Sequence, residues 1–270
     1  MRLTTLRVTR DRTAAARIDR KYLTLLPHTD VGALVASDPD WARAAAAHDG
    51  ERLPLRATTP AQPLFRPGRV VRAESNYPTR SKELGQDRPT APAVRITWPA
   101  VTAGAETTVP LPAPARQAVR WGVELGVVIA RRAQRVPTVA AFRHIAGYVV
   151  TVRVHDTLLI GPELVTPDQL PPGARGLTLT GTLDGRLVQK ANTSELRFDV
   201  ATLVAHASTV TELRPGDLLT TGTPGGALDH PLAPGQHVRA AIKGLGEIEA
   251  SCAAAAAQDA VGRTPLSPGA

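Results

Sequence analysis

The stretch WGVELGVVIA, residues 121–130, constrains the fold of this chain more than any other feature. It is a continuous apolar run interrupted by one charge, Glu124, and it suits a strand buried inside a sheet. HIAGYVVTVRVHD (144–156) alternates from Tyr148 onward and reads as another strand. LTLTGTLDGRLVQKA (177–191) carries the Asp184-Gly185 signal of a two-residue hairpin turn. QHVRAAIKGLGEIEASC (236–252) reads as a closing hairpin with Gly244 and Gly246 at its turn. Between them, DVATLVAHAS (199–208) is the best helix of this half, and LRPGDLLTTGTPGG (213–226) reads as turn, strand and glycine-rich loop.

The first 66 residues have a different texture. LTTLRV and KYLTLLP look like strands, VGALVASDPDWARAAAAH (31–48) reads as helical, and Pro60, Pro63 and Pro67 punctuate a linker. The expected organisation is a small N-terminal α+β domain (1–66), a β-rich domain that closes on itself (67–252) and a frayed, disordered tail (253–270).

Composition narrows the class. The formal charge is +8, but lysine occurs only four times, the arginines are scattered, and three Phe and three Tyr leave little to stack on bases. A nucleic-acid partner is therefore not expected. No stretch reaches the roughly 18 apolar residues of a membrane span, and the polar start MRLTTLRVTRDRT is unlike a secretory signal. Cys252 is the single cysteine, which excludes a disulfide framework and points to a reducing cytoplasm. No Gly-x-Ser-x-Gly elbow is present, and His144, His206, His230 and His237 match no ligand spacing.

Six segments, in order and plausibly spaced, resemble one family: VVRAESNYPTRSKELG (70–85), VELGVVIA (123–130), HIAGYVV (144–150), IGPELVTPDQL (160–170), LDGRLVQKANTSELRFDVATLVAHAS (183–208) and LRPGDLLTTGTPGG (213–226). The chain resembles the fumarylacetoacetate hydrolase family. The resemblance implies a mixed, rolled β-sheet around a deep pocket, usually in a homodimer. It implies enzymes that cleave, decarboxylate, hydrate or isomerise oxo-acids. It also implies a divalent metal on three carboxylates, as Glu-x-Glu and a later Asp, with a His–Glu pair on a short lid as base. Hard cations need such oxygen ligands, and a bound dication polarises a carbonyl.

The chemical positions depart from that pattern. Glu-x-Glu is here Gly122-Val123-Glu124, and the position of the later Asp is Arg153, after Val152. In the lid segment Glu83 matches, but Arg80 stands where the resemblance implies histidine, and arginine cannot act as a general base at neutral pH. A family lysine falls at Trp98, and the connection after Asp156 is shortened. One carboxylate beside a guanidinium holds magnesium or manganese poorly, so neither metal nor any other cofactor is expected.

Strand alternation would place Gly122, Glu124 and Gly126 on one face, and Thr151, Arg153 and His155 on one face of the other strand. The expected catalytic set is Glu124, Arg153, Glu83, Arg80 and His155. Arg153 and Arg80 would stabilise an oxyanion, while Glu124, Glu83 or His155 moves protons. Asn76, Tyr77, Trp98, Gln189, Gly222 and Thr223 are the expected substrate contacts, the resemblance implying that Thr223 faces substrate. The leading expectation is a metal-independent enzyme acting on an enolisable, carbonyl-containing small molecule by C–C cleavage, isomerisation or cyclisation, in a specialised pathway. A non-catalytic ligand-binding protein and an ordinary metal-dependent hydrolase are the alternatives.

Overall fold

The computed structural model describes residues 1–55, 67–98, 101–112 and 118–254. The chain opens with β1 (Arg2–Thr9), β2 (Arg12–Asp19), β3 (Tyr22–Leu25), α1 (Val31–Ser37), α2 (Trp41–Ala47) and β4 (Arg52–Pro54). β5 (Val70–Glu74), α3 (Pro78–Glu83), β6 (Ala93–Thr97), β7 (Val101–Ala103) and β8 (Glu106–Leu111) follow. The centre is β9 (Trp121–Ile129), β10 (Ile145–Val154), β11 (Thr157–Ile160) and β12 (Leu164–Val165). β13 (Thr178–Leu183), β14 (Arg186–Asn192), α4 (Val200–Val210), β15 (Leu218–Thr220), β16 (His237–Ile242) and β17 (Gly246–Ala254) complete it.

Among the described residues, twelve strands form one mixed sheet with the path β4-β3-β2-β1-β12-β10-β9-β15-β5-β6, and β11 and β7 extend it from β10. Five more form the sheet β14-β13-β16-β17-β8. β15–β5, β11–β7 and β17–β8 pair parallel. This is the β-rich α+β architecture expected from the sequence.

β9 and β10 are buried along almost their whole length, which explains their continuous apolar content. One face of β9, with Val123, Leu125, Val127 and Ile129, enters the larger core shared with the second sheet and α4. The opposite face carries Gly122, Glu124, Gly126 and Val128, and Val128 joins a second core with Leu3, Ala15, Leu34, Trp41 and Val149. The residues expected to carry chemistry therefore sit on the face away from the main core. Asp184 and Gly185 both take positive φ (50° and 78°) in the β13–β14 turn, as the hairpin reading requires. Asp199 caps α4 by accepting from Thr202 N at 2.8 Å.

The structure refines several expectations. The helical reading of 31–48 splits at Asp38-Pro39-Asp40 into α1 and α2, because proline breaks the helix and Asp38 Oδ1 takes the Asp40 N–H at 2.6 Å in a local turn. RTAAARID, with little β-propensity, forms β2 because it pairs on both sides with β1 and β3. β1 pairs with β12, so the N-terminal strands continue the large sheet. β17 runs through Ala254, and the tail expected beyond it lies outside the described residues, as do Pro60 and Pro63 of the linker.

Candidate active site

Period-two alternation fixes the site. On β5, Val71 and Ala73 belong to the larger core, so Arg72 points to the opposite face, the face of Glu124. β15 joins the two strands: Thr220 pairs with Gly126 on one side and Arg72 on the other. Across β9–β10, Thr151 stands opposite Glu124 and Arg153 opposite Gly122. Arg153 therefore reaches Glu124 diagonally, with its Nε 4.0 Å from Glu124 Oε1. That distance is a charge contact and too long for a hydrogen bond. Both side chains are largely buried, at 16% and 5% exposure. Arg153 Nε and Nη2 are buried without hydrogen-bond partners, and so is Arg72 Nε. Burial pushes the Arg153 pKa down, the Glu124 charge opposes that, and the Arg72 charge adds to it.

Glu124 is held by the loop after β15. Its Oε2 accepts from Gly222 N at 3.1 Å, and Gly222 adopts φ +90°, a conformation that favours glycine. Gln189 fastens that loop to β9. Its Oε1 accepts from Val123 N at 3.0 Å, and its Nε2 donates to Thr223 Oγ1 at 3.0 Å and Pro224 O at 2.7 Å. Thr223 in turn fills the space beside Gly122, where an added Cβ would overlap its Oγ1 and lie 2.9 Å from its Cβ.

The lid segment is docked on the same loop. Asn76 is buried; its Nδ2 donates to Phe198 O and Thr221 O, both at 3.0 Å, and its Oδ1 accepts from Phe198 N at 2.8 Å. Tyr77 is fully buried, its hydroxyl has no partner, and burial, aided by the charges of Glu195 and Glu124, raises its pKa. Pro78 starts α3, whose geometry allows Arg80 Nη1 to meet Glu83 Oε2 at 2.5 Å. Glu83 Oε1 accepts from Gly226 N at 2.8 Å and Leu228 N at 3.0 Å. Burial alone would raise the Glu83 pKa, but these amides and Arg80 together hold it below the ordinary value.

A cavity of about 220 Å³ opens here, lined by Arg72, Arg80, Glu124, Gly222 and Thr223 among others. The structure thus brings together Glu124, Arg80, Gly222 and Thr223, with Arg153 against Glu124 and Gln189 behind Thr223. It does not bring in His155 or Trp98. His155 lies in the two-residue turn joining β10 to β11, with φ +51°, half exposed, its Nδ1 3.2 Å from Asp156 Oδ2. The turn ends the alternation that would have put it beside Arg153, and it lets the neighbouring Asp156 meet it. Trp98 is 70% exposed just past β6. Asn76 and Gln189 have their polar atoms engaged by the fold itself, which makes them supports of the site. Arg72 was not singled out by any motif; its alternation with Val71 and Ala73 was the one signal in the sequence.

The donor set does not fit a dication. Of the three implied carboxylates only Glu124 is present, Thr223 occupies the side-chain space beside Gly122, and a guanidinium stands at the third position. Among the described residues, no group of three or more His, Cys, Asp or Glu side chains is placed to hold a metal.

Comparison with known proteins bears on the family and the fold. The family model described as fumarylacetoacetate (FAA) hydrolase C-terminal matches residues 69–156 and 153–253. A Burkholderia cenocepacia protein provisionally named a hydrolase is 34% identical over 245 residues, 81% of this chain and 86% of its own length. The crystal structure of a Mycobacterium smegmatis protein provisionally named HpcE superposes with a TM-score of 0.80 at 29% identity, covering 95% of this chain and 100% of its own. That of a 5-carboxymethyl-2-hydroxymuconate delta-isomerase from the same organism gives 0.76 at 25% identity, with 95% and 100% coverage.

Proposed function

This chain belongs to the fumarylacetoacetate hydrolase family, and from that premise we propose that it is a metal-independent isomerase or C–C hydrolase acting on a small enolisable carbonyl compound. The observation that carries the reading is the Arg153–Glu124 contact at 4.0 Å, a fixed positive charge beside the one remaining carboxylate of the implied metal cage. An enolate or tetrahedral oxyanion needs positive charge close by, and a pre-oriented guanidinium in a poorly solvated site supplies it without reorganisation. Glu124 is the carboxylate available to move a proton, since the oxygens of Glu83 are taken by Gly226, Leu228 and Arg80. One related structure is named an isomerase and one relative is provisionally named a hydrolase, which supports an enzyme in general. A homodimer in the cytoplasm is part of the proposal.

The test is turnover of a panel of oxo-acids and 1,3-dicarbonyl compounds by the purified chain, with and without a chelator. Turnover is expected to survive chelation and to fall by roughly 10²–10³ in Arg153→Gln, the usual loss for one oxyanion-stabilising group. Turnover that needs manganese or magnesium would sink the reading in favour of the ordinary metal-dependent enzyme. Binding without turnover would favour the non-catalytic one.

A further inference from the structure

The charges around the cavity do not balance. Arg80 is closed on Glu83, and Glu74, which also lines the cavity, is paired with Arg95 at 2.9 Å. Arg72, which lines the cavity, remains, as does Arg153, which stands behind the lining 4.0 Å from Glu124, and the single carboxylate Glu124 is set against both. Three of their nitrogens are buried and make no hydrogen bond among the described residues: Arg72 Nε, Arg153 Nε and Arg153 Nη2. Two guanidiniums near one another repel, and each unpartnered buried donor is costly, more so where it is charged. A fold without a use for these groups would gain by losing them.

We propose that Arg72 and Arg153 form an anion seat and that Arg72 determines the charge of the ligand. The inference deepens the metal-independent reading and rests on it for Arg153 alone; Arg72 plays no part in that reading. The net charge left over is +1, from two guanidiniums and one carboxylate, so the matching ligand is a monoanion. The donors are fork-shaped and planar, which suits a charge shared by two oxygens. A cavity of about 220 Å³ is smaller than the roughly 300 Å³ at which drug-sized pockets begin, so the seated portion is a small one. Carboxylates and enolised 1,3-dicarbonyls share this chemistry. Thr220, buried with its hydroxyl free of partners and directly paired with Arg72 across β15–β5, stands on the same face.

The experiment is isothermal titration calorimetry of the full chain in chelator, with pyruvate as the carboxylate probe and dimedone as the enolate probe. The one that binds names the source of the charge. Arg72→Gln is expected to weaken that probe at least about tenfold, the size of one lost charge-assisted hydrogen bond, and Arg72→Lys less. Arg43→Gln, at an exposed arginine of α2 paired with Asp40 and outside the cavity lining, is expected to bind as the wild type does. The unliganded Arg72→Gln protein is expected to melt no lower than the wild type, because it sheds a guanidinium whose buried Nε has no partner. Full binding by Arg72→Gln overturns the inference. So does a lowered melting point with unchanged affinity, or a failure of both probes to bind. If Arg153→Gln loses the probe while Arg72→Gln keeps it, the inference fails and the metal-independent reading stands. If either probe binds only once manganese replaces the chelator, the metal-independent reading fails with it.

Discussion

Thr223 occupies the space a side chain on Gly122 would need: a Cβ there would overlap Thr223 Oγ1 and lie 2.9 Å from its Cβ. The carboxylate implied at the first position of the Glu-x-Glu pattern is absent, and Thr223 fills the space beside the bare backbone there. Restoring one residue does not restore a metal cage. Gly122→Ala is expected to destabilise by about 1–3 kcal/mol through overpacking, and Gly122→Glu by at least as much. Combining Gly122→Ala with Thr223→Gly should recover part of the loss. Urea unfolding of the four proteins in this cycle measures the coupling; strict additivity would show that the two positions do not compete for space.

Gln189 holds the other side of that arrangement, with no exposure and partners on β9 and on the loop after β15. Gln189→Ala leaves Val123 N buried and unpaired, at about 1–3 kcal/mol, and leaves Pro224 O with only the long 3.5 Å contact from Thr223 Oγ1. Gln189→Glu is expected to be as harmful at neutral pH, since its carboxylate would face the Pro224 carbonyl in place of a donor. Thermal melts of both variants, with Gln189→Ala weakening probe binding as well, test whether this side chain sets the loop.

Much of the scaffold could be read from residues whose local preference and tertiary role agree. The apolar run of β9, the Asp184-Gly185 turn and the Asp199-capped helix are such places. Glu124 and Arg153 came together as strand alternation required. What escaped depends on tertiary contacts. The alanines of β2 become a strand only because two neighbours pair with them. Arg72, one of two charges in VVRAE, reads like an outward-facing strand residue until β15 places that face beside Glu124. Strand alternation runs past the true end of β10 to His155, because the two-residue turn is not marked by glycine or asparagine.

That turn gives a prediction with the opposite sign to a catalytic role. His155 is the first of the two loop residues and has φ +51°, while Asp156 does not share a positive φ. Hairpin turns with positive φ at the first central position alone prefer glycine there. His155→Gly is expected to leave stability unchanged or raise it by up to about 1 kcal/mol, and to leave turnover and probe binding intact. Loss of turnover with an unchanged melting point would return His155 to the catalytic set.

The lid's attachment is expected to fail in acid. Glu83 takes backbone N–H groups from Gly226 and Leu228 on one oxygen and Arg80 on the other, and these outweigh the effect of burial, so its pKa is lower folded than unfolded. A depressed carboxylate contributes stability that is complete above its unfolded value, about 4.3, and is lost as pH falls through the folded value. Glu83→Gln removes the charge and one acceptor, so the variant should be less stable than the wild type at neutral pH. The gap between them should narrow as the wild type is acidified below about pH 4. Arg80 loses its partner in the variant, which frees a third guanidinium at the cavity, so a monoanionic probe should bind no more weakly there. Melting curves from pH 7 to pH 3, set beside titrations of both proteins at neutral pH, separate these effects. A stability gap independent of pH would mean that the Glu83 carboxylate is not what fastens α3 to the glycine loop.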